Sequence, residues 1–154
     1  VSYPGGSKDS IKGRDDRYEL AWGRRQGFSE VAVRAGAPIV PFAGIGPDEV
    51  FPVLTNRGVM SAPWLGDWSY RVPLVIPVPR RVSFTFHIGE PIAPPEVPED
   101  ADEVDLHRIA RDHATRVRHA LQSLIDDGLA RRAQREEEDS AGVGLLDTIR
   151  ALLG

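Results

Sequence analysis

Two hydrophobic periods run through this chain and divide it. Residues 82–88, Val-Ser-Phe-Thr-Phe-His-Ile, alternate apolar with polar side chains and predict a strand, which Gly89 ends. Leu106, Ile109, Ala110, Val117, Ala120, Leu121, Leu124 and Ile125 instead fall on one stripe with charges elsewhere, predicting a long helix over about 102–133. A second amphipathic stretch at 143–153 gathers Leu145, Leu146, Ile149, Leu152 and Leu153 on one face. Nearer the start, Leu20, Phe28, Val31 and Ala32 recur at helical spacing and predict a helix over about 19–35 with Gly36 as its stop. Gly23 and Gly27 weaken its first half. Residues 37–43, Ala-Pro-Ile-Val-Pro-Phe-Ala, form a continuous apolar run between Gly36 and Gly44, which suits a strand buried on both faces in a parallel sheet. Pro41 cannot donate to a ladder, so that strand ends there or leaves the position unpaired.

The segments between are punctuated. Residues 1–17 are rich in Gly, Ser, Lys, Arg and Asp and read as a polar loop, with turn chemistry at Pro4-Gly5-Gly6. Residues 48–54 suit a short helix or a strand. Residues 56–79 carry Trp64, Trp68 and Tyr70 among prolines and glycines, so neither helix nor regular strand is expected there. Residues 93–102 are a proline- and acid-rich connector, and 136–139 an acidic, solvated run. The expected organisation is 1–97 as a folded unit, 98–135 as a long helix, and 136–154 as a linker and tail. The fold class is α/β, a mainly parallel sheet flanked by helices with a long C-terminal helix.

At 154 residues, with 41% hydrophobic and 27% charged residues, the chain is long enough to bury a core and is not of disordered type. A formal charge of -4 argues against nucleic acid as a partner. With no cysteine, disulfides, thiolate metal sites and cysteine nucleophiles are excluded. No run approaches the roughly 18 to 20 apolar residues that cross a bilayer. The chain opens on Val1 and its one methionine is Met60, which suits a truncated chain, a fragmentary reading frame or an unusual start.

Gly5-Gly6-Ser7 in a turn, with Lys8, Lys12, Arg14 and Arg17 close by, makes either a small anion site of backbone N–H groups and cations or a solvated loop. It is not a nucleotide-binding P-loop, because the G-x-x-x-x-G-K-[ST] pattern is absent. No Gly-x-Ser-x-Gly elbow supports a serine hydrolase. No H-E-x-x-H spacing supports a metal, and none is expected. His107 and Asp112 fit H-x-x-x-x-D, but they lie in the long helix, where residues five apart are separated by about 140°. The match is read as chance. His87 reads as a strand histidine, and His113 and His119 as solvated helix-surface residues.

Four elements in order then resemble one family. Tyr3-Pro4-Gly5-Gly6-Ser7-Lys8-Asp9 resembles the Pro-Gly-Gly form of the third conserved block of glycerolipid acyltransferases, the form of the diacylglycerol-acyltransferase-like branch. Tyr18 to Trp22 and Arg25 to Phe28 resemble the helix that follows. Pro38-Ile39-Val40-Pro41 resembles the fourth block, and His87-Ile88-Gly89-Glu90-Pro91-Ile92 the Gly-x-Pro-Ile element that closes the catalytic module. The resemblance implies a glycerol-3-phosphate-acyltransferase-like fold and transfer of a fatty acyl group from acyl-CoA or acyl-carrier protein to a lipid hydroxyl, with no cofactor. It implies that Gly5, Gly6, Ser7, Lys8 and Asp9 form the acceptor-side loop, with Pro4, Pro38, Ile39, Val40, Pro41, Gly89 and Pro91 in support. A phosphorylated acceptor is implied less firmly than a neutral one, because the glycerol-phosphate branch has Glu where Gly5 stands. The family's base, a histidine of an H-x-x-x-x-D block, precedes the Pro-Gly-Gly block and is not in this chain.

From this follow the expectations that the chain alone is inactive and that its parent sits peripherally on the cytoplasmic side of a membrane in phospholipid or glycerolipid synthesis. The rival is a non-catalytic acyltransferase-like remnant that binds lipid or a partner; a soluble anion-binding protein is a third reading. The 64–79 segment suits either a membrane interface and acyl groove or a core-covering loop. Missing early strands would leave an open edge, so self-association is expected.

Overall fold

The structure is a computed structural model that describes residues 1–6, 9, 12–55, 59–61, 69–71 and 73–153, with side chains described except at 59–61, 69–71 and 141–153. Helix α1 spans Gly27–Ala35 and α2 spans Glu103–Leu153. The strands are β1 (Phe42–Ile45), β2 (Val53–Thr55), β3 (Val59–Ser61), β4 (Ser69–Arg71), β5 (Leu74–Val75) and β6 (Thr85–Ile88), with a 3-10 turn at Pro47–Glu49.

Every ladder among the described residues is antiparallel: β1 with β6, β2 with β5, β3 with β4. The parallel pairing expected of the 37–43 run is not among them. That run also pairs later than expected. Pro38 and Pro41 have no N–H to give, so the regular ladder begins at Phe42, opposite Ile88. Before it lies one bridge, in which Ile39 and Ile92 exchange N–H···O bonds of 2.9 and 2.8 Å. Gly89 N–H closes the gap onto the Pro41 carbonyl at 2.9 Å. The fourth block and the closing Gly-Glu-Pro-Ile element are thus two sides of one ribbon. Burial alternates along β1 instead of covering both faces: Ala43 and Ile45 are buried and Phe42 is exposed.

The helix expected over 19–35 forms only from Gly27. Gly23 and Tyr18 hold positive φ (58° and 62°), a conformation helices exclude, and the chain from 18 to 26 is irregular. Gly36 ends α1 in the left-handed conformation, its N–H and that of Ala37 bonded back to Val33 and Ala32. The 48–54 stretch contains both alternatives, the 3-10 turn and β2. The 56–79 stretch, expected to be irregular, holds three short strands, while Trp64, Trp68 and the expected groove around them lie outside the described residues.

Helix α2 starts on Asp102, whose Oδ1 accepts the Asp105 N–H at 2.8 Å. It runs through the acidic 136–139 segment without a break, where a linker was expected. Those acids are exposed, and Arg132 reaches Glu136 one turn on at 2.9 Å. The apolar face of 143–153 lies outside the described side chains. Upstream, the stripe does what its period predicts: Ala110, Ala114, Val117 and Ile125 are buried against α1 and the inner face of β1 and β6, where Ala43 and Ile45 meet Ile125. Among the described residues, no helix is long and apolar enough to cross a membrane.

Candidate functional site

The first residues form a braced turn. Gly6 N–H bonds the Tyr3 carbonyl at 3.0 Å, and Asp9 N–H bonds the Gly6 carbonyl at 3.1 Å. Arg25 closes over the outside, its Nη1 donating to the Pro4 and Gly5 carbonyls. Asp9 closes the inside: Oδ1 accepts the Ala21 N–H at 2.8 Å, and the carboxylate occupies the space where any Cβ on Gly5 would stand. Gly5 is therefore fixed by close approach, and the turn is tied to the 21–25 segment by a cation and an anion. Ser7 and Lys8 lie outside the described residues.

The cations that the sequence placed beside the loop are directed elsewhere. Lys12, with its side chain only 11% exposed, lies 3.8 Å from Asp9 and 3.7 Å from Asp48. Arg14 donates to the Val53 carbonyl at 3.1 Å. Among the described residues the bracing of the turn comes from Arg25 and Ala21 and not from Pro38, Val40 or Pro91, while Ile39, Pro41 and Gly89 act in the ribbon. A Cβ on Gly89 would stand 3.0 Å from Pro41, which explains glycine there.

Asp48 carries the connection onward to Tyr18, whose backbone N–H it accepts at 3.1 Å. Tyr18 is the one non-glycine residue among those described with positive φ, a conformation that costs about 1–3 kcal/mol. Three further bonds hold it there. Gln122 donates to its carbonyl, its hydroxyl donates to Glu49 Oε1 at 2.6 Å, and the same hydroxyl accepts the Gly46 N–H at 2.9 Å. Arg132 grips Glu49 through both oxygens at 2.8 and 2.9 Å. Burial and the neighbouring Glu49 push the Tyr18 hydroxyl up to about 12, so it stays a donor. Burial alone would raise Glu49, but the Arg132 guanidinium and the Tyr18 hydroxyl outweigh it and hold the carboxyl below its ordinary value. Asp9, Lys12, Asp48, Tyr18, Glu49 and Arg132 thus form one polar chain from the loop to α2.

None of the four histidines is placed as a catalytic base. His107 is exposed and faces Glu30 across 3.6 Å, not Asp112. His87 bonds Thr85 at 3.2 Å within its own strand, and His119 is exposed, both as expected. His113, expected on the surface, is instead fully buried between α2 and α1 and bonds Ser29 Oγ through Nδ1 at 2.9 Å. Its position beside Ala110, Ala114 and Val117 on the apolar stripe was the overlooked signal. Burial, then Arg116, lowers its pKa, and Nε2 has no partner. The Ser29–His113 pair has no exposed surface for a substrate to reach. No group of metal-ligating side chains occurs among the described residues.

With this geometry in hand, comparison with known proteins points one way. The family model described as diacylglycerol acyltransferase matches residues 1–76, which contain the braced turn, Tyr18, α1 and β1. Over those residues the chain is similar to that family. Phytyl ester synthase 1, chloroplastic, of Arabidopsis thaliana is 28% identical over 89% of the chain and 22% of its own length. The human protein named DGAT1/2-independent enzyme synthesizing storage lipids is 30% identical over 80% of the chain and 34% of its own length. An uncharacterized protein of Mycobacterium tuberculosis is 33% identical over 66% of the chain and 30% of its own length. The chain therefore spans about a third or less of these curated relatives. No solved structure matches.

Proposed function

We propose that the chain is the acceptor-side half of an acyltransferase that moves a fatty acyl group from acyl-CoA or acyl-carrier protein to a lipid hydroxyl. The observation that carries this reading is the turn of Tyr3 to Gly6, clamped by Arg25 and Asp9 inside the segment that matches the family model. In the reaction the acceptor oxygen attacks the thioester carbonyl, the C–S bond breaks as the C–O bond forms, and the acceptor's proton passes through a base to the departing thiolate. Gly5, Gly6, Ser7, Lys8 and Asp9 line the acceptor side. The base comes from sequence outside these 154 residues, since no histidine here is placed for it. A neutral alcohol suits the loop better than a phosphorylated one, because Lys12 is already shared between two carboxylates. The names of the relatives, a phytyl ester synthase and a storage-lipid enzyme, support the same choice. The mainly parallel sheet belongs to the whole catalytic domain, working peripherally at a cytoplasmic membrane face. The ribbon of β1 and β6 lies at its margin.

The test has two arms. The purified chain is titrated with a short-chain diacylglycerol and with phytol, followed by tryptophan fluorescence, and is assayed with labelled acyl-CoA. The expected result is saturable acceptor binding that Gly5→Ala abolishes, without turnover. Turnover lost in His107→Ala, or binding indifferent to Gly5→Ala, overturns the assignment. The exposed Phe42, Phe86 and Ile88 favour a second reading, a remnant that docks lipid or a partner without catalysis. Joining the chain to the H-x-x-x-x-D half of a relative restores turnover under the first reading alone.

A further inference from the structure

A cleft of about 560 Å³ opens between the 22–26 segment and α2, and Arg25, which clamps the turn, is part of its lining. Four arginines line it, Arg24, Arg25, Arg111 and Arg118, together with Thr115 and Trp22. No carboxylate lines it, although the chain as a whole carries a formal charge of -4. On α2, positions 111, 115 and 118 are one and two turns apart and so share a face. Two of the guanidiniums are fixed without being neutralised. Arg25 donates to the Pro4 and Gly5 carbonyls, and Arg118 donates to the Leu20 carbonyl at 3.2 Å. Among the described residues, none of the four forms an ion pair with an acid.

We infer that this cleft binds a phosphate-bearing ligand, with Arg24, Arg111 and Arg118 meeting the phosphate oxygens. Four like charges facing one concavity repel one another, and a multiply charged anion removes that repulsion while accepting paired N–H donors from the planar guanidiniums. A single carboxylate would leave most of the donors unused. Because Arg25 touches both the cleft and the turn, occupation of the cleft also steadies the Gly5 carbonyl. The same phosphate chemistry is offered by a soluble phosphate ester, such as the head of a coenzyme A thioester, and by a phospholipid headgroup. The inference rests on the acyl-transfer reading only in the choice of coenzyme A as one probe.

Calorimetric titration with inorganic pyrophosphate and with coenzyme A tests the soluble source. Cosedimentation with phosphatidylcholine vesicles, with and without phosphatidic acid, tests the lipid source. Arg24→Gln and Arg111→Gln, both at exposed positions, are compared with Arg81→Gln, which removes an exposed charge elsewhere. Melting temperatures confirm that each variant is folded. Expected is a Kd that rises about tenfold for each cleft variant, more for the double variant, and hardly for Arg81→Gln. Raising the salt weakens binding of the wild type. Arginine-dependent binding of pyrophosphate or coenzyme A assigns the soluble source; arginine-dependent binding confined to phosphatidic acid vesicles assigns the headgroup. Absence of binding in every arm, or equal binding by the double variant, overturns the site. Neither arm involves acyl transfer, so failed acceptor binding with intact pyrophosphate binding sinks the acyltransferase reading and leaves the cleft standing.

Discussion

At single positions the structure turns on what has no room or no partner. Gly5 has no room: alanine there would put its methyl on the Asp9 carboxylate and break the Asp9–Ala21 tie. Gly5→Ala should cost on the order of 1–3 kcal/mol in a denaturant titration and release the turn. The loss should be matched by Asp9→Ala, since both remove the same tie. The His113 ring meets Ser29 Oγ through Nδ1, and its Nε2 has no partner among the described residues. Ser29→Ala leaves the whole imidazole buried and unsatisfied and should cost about 1–3 kcal/mol, whereas Ser29→Ala with His113→Leu should recover most of that in a double-mutant cycle. Their pH signature follows from sign. His113 is lowered from its ordinary 6.5, so below that value the unfolded chain takes up the proton more readily than the folded one. Stability is full above 6.5 and falls as the pH drops from there toward the folded value. A melting series from pH 8 to pH 5 should show this slope in the wild type and lose it in His113→Leu.

Between elements, the decisive contacts are those that bring α2 onto the rest. At Gly128 a Cβ would stand 2.9 Å from His87 Nε2 and 2.9 Å from Ile45 Cγ1. Alanine is the better helix former by about 1 kcal/mol, yet Gly128→Ala should lower the melting temperature, because the helix must lift from β1 and β6. The second contact is Arg132 on Glu49. The depressed Glu49 carboxyl contributes stability above its ordinary 4.5 that is lost as the pH falls through its folded value. Arg132→Ala should flatten that acid limb while leaving the His113 window untouched. These elements also show what a sequence can carry. The α2 stripe was legible because it is a local period, and so in part was the strand expected over 82–88, of which only Thr85–Ile88 forms. The shortened α1 and the delayed β1 follow from local residues too, Gly23 for one and Pro38 and Pro41 for the other. At the site, the Pro-Gly-Gly turn was legible as turn chemistry. Its bracing was not, since Arg25 lies 20 residues from Gly5, Tyr18 takes its odd φ from partners 28 to 104 residues away, and Glu49 meets Arg132 across 83. No local pattern encodes contacts of that kind.

For the whole molecule the question is what the outer face of the β1–β6 ribbon is for. Its inner residues, Ala43 and Ile45, are buried under α2, but the outer ones are Phe42, Phe86 and Ile88, exposed by 55%, 64% and 71%. Phe42 and Phe86 stack at 5.5 Å, which concentrates their apolar surface into a ridge. Among the described residues no further strand pairs with either edge of this ribbon. Contiguous apolar surface of this kind is uncommon on a protein that works alone, and the longer relatives have the material to cover it. The chain by itself should therefore associate. Light scattering should show growth with concentration, and Phe86→Glu should reduce it several-fold while moving the melting temperature little, because Phe86 buries little within the fold. If the chain stays monomeric at high concentration, or if Phe86→Glu unfolds it, the ridge belongs to this chain's own stability and not to a surface awaiting a partner.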